Sequence, residues 1–516
     1  MNTYERLGRG PSGPPISSGE GAARPGFAEG EGDAPPVVVS PAQPGRSEIR
    51  TILVSLMLTM FLAALDQTIV ATALPTIGRQ FHDVTTLAWI ITAYLLASTA
   101  VAPLFGTLSD IYGRRAMIVT ALGLFIAGSV LCALAQNMAT LIVARGVQGI
   151  GGGGILPLVQ TIISDVVTPR ERGQYQAYFS GVWTAAGIAG PVLGGVFAEH
   201  LHWSMIFWIN VPLGLVSLAL LLPKMGGIPA FHRRRKVDWT GGLLLMTSAV
   251  VFMLVLTWGG NRFAWFSREI VAMLGISLVL AAVFVWHARK ASEPFLPLSL
   301  IGGSVVPYAI AASALALSAI IGITVHLPLY YQAVHHLGVS ESGLALIPIA
   351  AVSTGGAMLA GRAMTHTLHY KRIAIVGTAF AAVMAAIMAA VTMPLWPLLA
   401  MLSLFAFGLG TIFPVSVVSL QNAVMREQVG TVTGAMNFFR ALACSFVVAA
   451  FAAILLMTLG TDAMIGHEGG GRLSAIQASD LTRAFRYVFA ATAAMMAAAA
   501  LLLVRMEERP LAGPSA

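Results

Sequence analysis

The chain has 516 residues, of which 57% are hydrophobic and only 10% charged, where a soluble domain carries about a quarter charged residues. That balance argues against a water-soluble enzyme, and apolar runs of about twenty residues recur from Thr51 onward, each long enough to cross the hydrocarbon core of a bilayer as a helix. The net charge of +8 does not mark a nucleic-acid binder, because the basic residues form short clusters at the ends of apolar runs without interleaved aromatics.

Residues 1–49 hold eight prolines, nine glycines and no apolar run long enough for a signal peptide, so they read as a disordered tail. Fourteen helices are then predicted, near 50–73, 87–108, 115–136, 140–165, 174–199, 205–223, 240–259, 269–288, 305–331, 342–364, 372–392, 395–421, 430–459 and 484–505. Cys132 and Cys444 fall inside these runs and read as packing residues, not as a disulfide framework. An even number of spans puts both chain ends on one side, and the basic residues choose the side. The even-numbered loops hold fifteen Lys or Arg and the odd-numbered loops six. Both termini are therefore expected in the cytoplasm, with the chain in the inner (cytoplasmic) membrane. The run Arg233-Arg234-Arg235-Lys236 is further expected to touch anionic lipid.

Two distant stretches match when the second is shifted back by about 256 residues. Gly151, Gly153, Ile155 and Pro157 recur as Gly408, Gly410, Ile412 and Pro414; Arg170-Glu171 recurs as Arg426-Glu427; Leu104-x-Gly106 recurs as Leu359-x-Gly361. The same register carries the start of helix 1 onto the start of helix 9. Helices 1–6 and 9–14 thus read as two copies of one unit. The expected organisation is a cytoplasmic tail over 1–49, a six-helix bundle over 50–223, a loop and two inserted helices over 224–304, a second six-helix bundle over 305–505, and a cytoplasmic tail over 506–516. Two such halves about an axis along the membrane normal describe a transporter that rocks around a midplane cavity.

The turn after helix 2 reads Gly106-Thr107-Leu108-Ser109-Asp110-Ile111-Tyr112-Gly113-Arg114-Arg115. This resembles the signature loop of the major facilitator superfamily, with its G-x-x-x-D-x-x-G-R-R/K spacing intact. The resemblance implies a gating role between halves for Gly106, Asp110, Gly113, Arg114 and Arg115. Helix 1 carries Leu65-Asp66-Gln67-Thr68, helix 4 carries Arg145-Gly146-Val147-Gln148-Gly149, and helix 5 carries Gly187, Gly190, Pro191, Gly194 and Gly195. These are similar to motifs of the fourteen-helix drug:proton antiporters of that superfamily, the helix-5 set being its antiporter motif. The likeness extends across the insertion through Trp258-Gly259-Gly260 and Glu293-Pro294-x-Leu296-Pro297-Leu298. It implies an all-α membrane protein of the major facilitator fold, with two pseudo-two-fold related bundles plus two inserted central helices. The chain departs from the family at Trp203-Ser204-Met205, where the family has an arginine, and after Arg440, where the family has a glycine-rich stretch.

Asp66 lies amid apolar neighbours, where a carboxylate costs about 3 kcal/mol on insertion scales, so its presence points to a function. It is the expected proton-coupling site, the other reading being a structural ion pair or helix cap. Arg145, near the outer end of helix 4, is its expected partner, unless it snorkels to the interface. Arg440 has no charged counterpart in the other half and reads as a cavity or gate residue or as a packing residue. His326 is a second candidate for the cavity or gate, or is simply hydrogen-bonded. The helix-5 glycines are expected to permit close contact where one bundle moves against another.

None of the four lysines follows a glycine, so no phosphate-cradling loop is present, and no H-E-x-x-H or G-x-S-x-G motif occurs. No enzyme activity, catalytic residue, cofactor or metal site is read from the chain. An ion gradient is left as the energy source. The expected function is proton-coupled efflux of amphipathic, drug-like compounds by alternating access, with lipophilic cations suiting a broad apolar cavity that holds an acid. Export of a dedicated metabolite or lipid, uptake of an organic solute, and a non-transporting sensor are the other readings. The expected partners are a small-molecule substrate, protons and membrane lipid, with no nucleic acid.

Overall fold

The computed structural model describes residues 46–83, 85–225, 236–367, 369–459 and 478–511. The expectations for residues 1–45, for Arg233-Arg234-Arg235 and for the loop 461–477 lie outside the described residues. Fourteen membrane helices are present: α1 Arg46–Phe81, α2 Ala88–Tyr112, α3 Arg114–Ala133, α4 Met138–Val166, α5 Pro169–His200, α6 Met205–Leu221, α7 Trp239–Trp258, α8 Arg268–Lys290, α9 Val306–His335, α10 Val339–His366, α11 Lys371–Ala390, α12 Leu395–Asn422, α13 Val429–Leu459 and α14 Ala478–Arg505. Among the described residues, 13 are long and apolar enough to cross a membrane, and α6 is the shorter one.

Two of the helices carry a one-residue break ahead of a proline. Helix α6 is interrupted at Ile209 and α12 at Thr411. Pro212 and Pro414 each lack the N–H that would bind the carbonyl four residues earlier, so the turn before each is released. Helix α1 runs past the expected end at residue 73 and keeps Pro75 inside it, a tolerance common where neighbouring helices satisfy the freed groups. Helix starts are fixed locally: Asn137 and Thr140 form a capping box before α4, and Ser267 accepts from the Ile270 amide at 3.3 Å before α8.

The packing follows the repeat. In the first bundle α1 lies on α5 and α3 on α4; in the second α9 lies on α13 and α11 on α12. The bundles meet through α2 against α13 and through α10 against α5, a pair of contacts exchanged by the same two-fold relation. Each contact is made by glycines. A Cβ on Gly106 would collide with the backbone of Gly430, and a Cβ on Gly361 with that of Gly173; only glycine lets helix backbones approach so closely. Helices α7 and α8 form a hairpin packed against α2 and α13, with Phe295, Phe284 and Phe438 in a shared apolar cluster.

Candidate functional site

Three features occupy the interior. The first is a polar network within the first bundle. Arg145 and Gln148 lie three residues apart on α4 and so share one face. Both point at Asp66 of α1. Arg145 Nη1 donates to Asp66 Oδ2 at 2.7 Å, while Gln148 Nε2 and Asn210 Nδ2 donate to Oδ1 at 2.8 and 2.9 Å. Arg145 also donates to Gln148 Oε1 at 2.6 Å and, through Nε, to the Ile90 carbonyl of α2 at 3.1 Å. Its guanidinium lies 4.4 Å from the Tyr94 ring centre, a cation–π contact. Asp66, Gln148 and Asn210 have no exposed surface and Arg145 is 1% exposed. Such a pair is held by its complete set of hydrogen bonds, and removal of one partner leaves a buried charge uncompensated.

The second feature lies at the far end of α2. The Asp110 carboxylate crosses to the second bundle and accepts from the amides of Gly430 and Thr431 at 3.0 and 2.7 Å and from the Thr431 hydroxyl at 2.7 Å. It therefore sits on the N-terminus of α13, where free amides and the helix dipole favour an anion. Arg114 completes the cluster. It donates to Asp110 Oδ1 at 2.5 Å, to Asp165 Oδ2 at 3.0 Å and to the Arg426 carbonyl at 3.4 Å. Gly113 adopts φ +89 between α2 and α3, a backbone that favours glycine. Arg115 is exposed.

The third feature is a cavity of about 660 Å³ between the bundles. It reaches from the level of Gln67, next to Asp66, to the α7–α8 loop at Gly259, Asn261 and Trp265, at the end opposite Asp110. Arg440 of α13 lines it and is 6% exposed. Arg440 Nε donates to Ser313 Oγ at 3.0 Å and Nη2 to Ser416 Oγ at 3.1 Å. Toward the Asp110 end the bundles are closed by Asn437 donating to Gln160 Oε1 at 2.9 Å and by Gln421 donating to the Gln160 carbonyl at 3.3 Å.

Two expected sites require correction. His326 does not line the cavity; its Nδ1 is 2.8 Å from the Gly322 carbonyl one turn earlier, and Phe451 stacks edge-on at 6.5 Å. The helix-5 glycines divide. Gly190 and Gly194 pack against Thr68, Ile69 and Thr72 of α1, inside one bundle and not between the two, and Gly187 and Gly195 face open space. The contact between bundles is made instead by the Gly106–Gly430 and Gly173–Gly361 pairs.

Asp165 and Tyr94 were missed. A signal for Asp165 exists: an acid in the last turn of a helix opposes the dipole, so it calls for a cation, which Arg114 supplies. Nothing local marks Tyr94, since an aromatic in an apolar run reads as core. Among the described residues no cluster of His, Cys, Asp or Glu is placed to hold a metal ion.

Comparison with known proteins agrees with this architecture. Residues 56–448 match the family model described as Major Facilitator Superfamily. The MFS-type efflux pump LUC4 of Fusarium sp is 34% identical over 79% of this chain and 74% of its own length. The multidrug transporter protein MdtP of Bacillus subtilis is 29% identical over 82% of this chain and 79% of its own. Among solved structures, the proton:xylose symporter XylE superposes with a TM-score of 0.62 at 14% identity, over 90% of this chain and 98% of that one. By its family match, its relatives and its fold, this multi-pass membrane protein belongs to the major facilitator superfamily.

Proposed function

We propose that the protein is a proton-driven antiporter that exports amphipathic compounds, with drug-like molecules among its cargo, from the cytoplasm across the inner membrane, both chain ends lying in the cytoplasm. Relatives named as efflux pumps and multidrug transporters support the export reading. The observation that carries the coupling is Asp66, buried without exposed surface and adjacent in sequence to the cavity-lining Gln67. With Asp110 on the cytoplasmic side, the cavity opens outward and the closed end is the inner gate. The moving bodies are the bundles 50–223 and 305–505.

The network suggests how a proton is read. Asp66 accepts two hydrogen bonds on Oδ1 and one on Oδ2, so a proton on Oδ1 displaces a donor, while one on the open lone pair of Oδ2 does not. In either case the carboxylate is neutralised, the Arg145 guanidinium loses its counter-ion, and its hold on the Ile90 carbonyl and Tyr94 ring of α2 changes. Helix α2 carries Asp110 and Gly106 at its other end, against α13. Protonation at Asp66 is thereby linked through one helix to the contact that closes the inner gate, the two-state element that alternating access needs. Asn210 Oδ1 has no partner among the described residues, and rotation of that amide offers an acceptor to a protonated Asp66.

The test is proton movement in inverted vesicles with an acid interior, followed by a pH-sensitive dye as amphipathic compounds are added. Compound-dependent proton efflux is expected from the wild type and not from Asp66→Asn at equal expression. Equal efflux from both would remove Asp66 from the mechanism.

A further inference from the structure

Four arginines are buried in the described helices, and three have an evident answer to their charge. Arg114 pairs with Asp110 and Asp165, and Arg145 pairs with Asp66. Arg172, in the first turn of α5, donates to the Ser164 and Val167 carbonyls at the end of α4, the negative pole of that helix. Arg440 differs. Among the described residues no carboxylate lies within 4.0 Å of it; its hydrogen bonds go to the neutral hydroxyls of Ser313 and Ser416, and the Phe413 ring centre lies 5.9 Å from the guanidinium.

A guanidinium has five N–H donors in a fixed fork, and two of them are engaged in these bonds. Ser313 comes from α9 and Ser416 from α12, so the side chain is held in place from two helices that pack on α13. It stands on the wall of the cavity, and no Asp or Glu is among the cavity-lining residues. The corresponding position in the first bundle is Thr184, so the duplicated scaffold does not need a cation here. A cation without a counter-charge in the hydrocarbon zone is unfavourable, and a bound anion relieves it.

We infer that Arg440 is the headgroup site of the cavity, and that its cargo is an amphipath with an anionic oxygen group, a carboxylate or comparable oxyanion. The remaining donors of Arg440 match two oxygens of such a group in bidentate fashion. The hydrophobic body then lies along the apolar wall, against Trp183, Leu317 and Ile321. Lipophilic cations are disfavoured, because the nearest fixed charge repels them and no acid in the lining compensates. This sharpens the sequence expectation, in which the acid was to face the cargo: Asp66 is withdrawn behind Arg145 and Tyr94. The inference rests on the cavity being the cargo site and is independent of proton coupling.

The test is calorimetric binding to the purified full-length protein at neutral pH with three probes of one shape: 4-phenylbenzoate, its primary amide 4-phenylbenzamide, and 4-phenylbenzylammonium. The wild type is expected to bind the carboxylate about tenfold or more tightly than the amide, as befits a charge-assisted pair, and the ammonium most weakly. Arg440→Gln should reduce carboxylate affinity to that of the amide while amide binding, which reports an intact cavity, is kept. Arg440→Lys, a point charge without the fork, should fall between them. Binding is read without a proton gradient, so a failure of coupling is separable from a failure of this site. The inference is overturned by a wild type that does not prefer the carboxylate, including one that binds none of the probes at about 1 mM, or by a preference that survives Arg440→Gln.

Discussion

The two six-helix bundles share their helix order and internal contacts, yet they differ in what they bury. In the first, Asp66, Arg145, Gln148, Asn210 and Ser129 form a closed polar network. At the matching register the second has Gly322 in place of Asp66, with the Phe451 ring against it, and an apolar core around Leu402 and Phe405. Among its described residues the one buried arginine, Arg440, lies instead on the cavity wall. The same asymmetry appears at the gate: Gly106 and Gly361 make equivalent contacts, but in that register Asp110 corresponds to the uncharged Thr365. A duplicated scaffold supplies the hinge geometry twice and the charges once. Symmetric packing positions the halves, while an ionisable group need exist in one copy only for a proton to bias the whole.

Breaking the polar network should give the largest effects. Arg145→Gln leaves a buried carboxylate without its cation and is expected to destabilise the protein by about 3 kcal/mol, read as a fall in unfolding temperature. Adding Asp66→Asn should recover part of that loss. If the single and double variants are equally unstable, the pair is not what holds the first bundle.

The gate separates shared geometry from unshared charge. Gly106→Val and Gly361→Val each force a side chain into the facing backbone and should lower transport about tenfold, by the cost of overpacking. Asp110→Ala should lower it as well, since it removes the anion from the start of α13. Thr365→Ala should leave transport unchanged. A strong effect at Thr365 would contradict a gate charged on one side.

Smaller effects are expected where the inserted hairpin begins. Asp238 caps α7, accepting from the Gly241 amide at 2.9 Å, from the Phe295 amide at 3.0 Å, and contacting His287 Nε2 at 2.8 Å. Partial burial opposes ionisation, but those bonds outweigh it and hold the carboxyl below the usual carboxylate range. Because the folded protein holds the ionised form more tightly than the unfolded chain, the contribution is present above the ordinary carboxylate pKa of about 3.9 and is lost as pH falls through the lowered folded value. Asp238→Ala should cost about 1 kcal/mol at neutral pH and flatten the acid limb of the stability profile. The exposed Glu48–Lys224 pair marks the lower bound: Lys224→Ala should change stability by less than about 0.5 kcal/mol.

Helix count, the repeat and the family were legible in the sequence because each rests on long or repeated patterns. Twenty apolar residues specify a spanning helix whatever surrounds them, and glycines and prolines recurring at one offset specify a duplicated unit. The pairing of Asp66 with Arg145 was also legible, since two opposite charges placed at similar depth in adjoining apolar helices have strong reason to meet. The interruptions at Ile209 and Thr411 were less so, because a proline in a membrane helix either breaks it or is absorbed by its neighbours, and Pro75 shows the second outcome in the same chain.

Tertiary structure alone decided what each polar group faces. Periodicity places Asp110 at the end of α2, but only the docking of the bundles sets it on the amides of Gly430 and Thr431, more than three hundred residues away in the chain. It likewise buries His326 against its own helix, turns Gly190 and Gly194 toward α1, screens Asp66 from the cavity with Arg145 and Tyr94, and leaves Arg440 at the wall. The physical reason is range: hydropathy and helix-breaking residues act within a turn or two, whereas electrostatic partners are chosen by which helices pack together and how they are rotated.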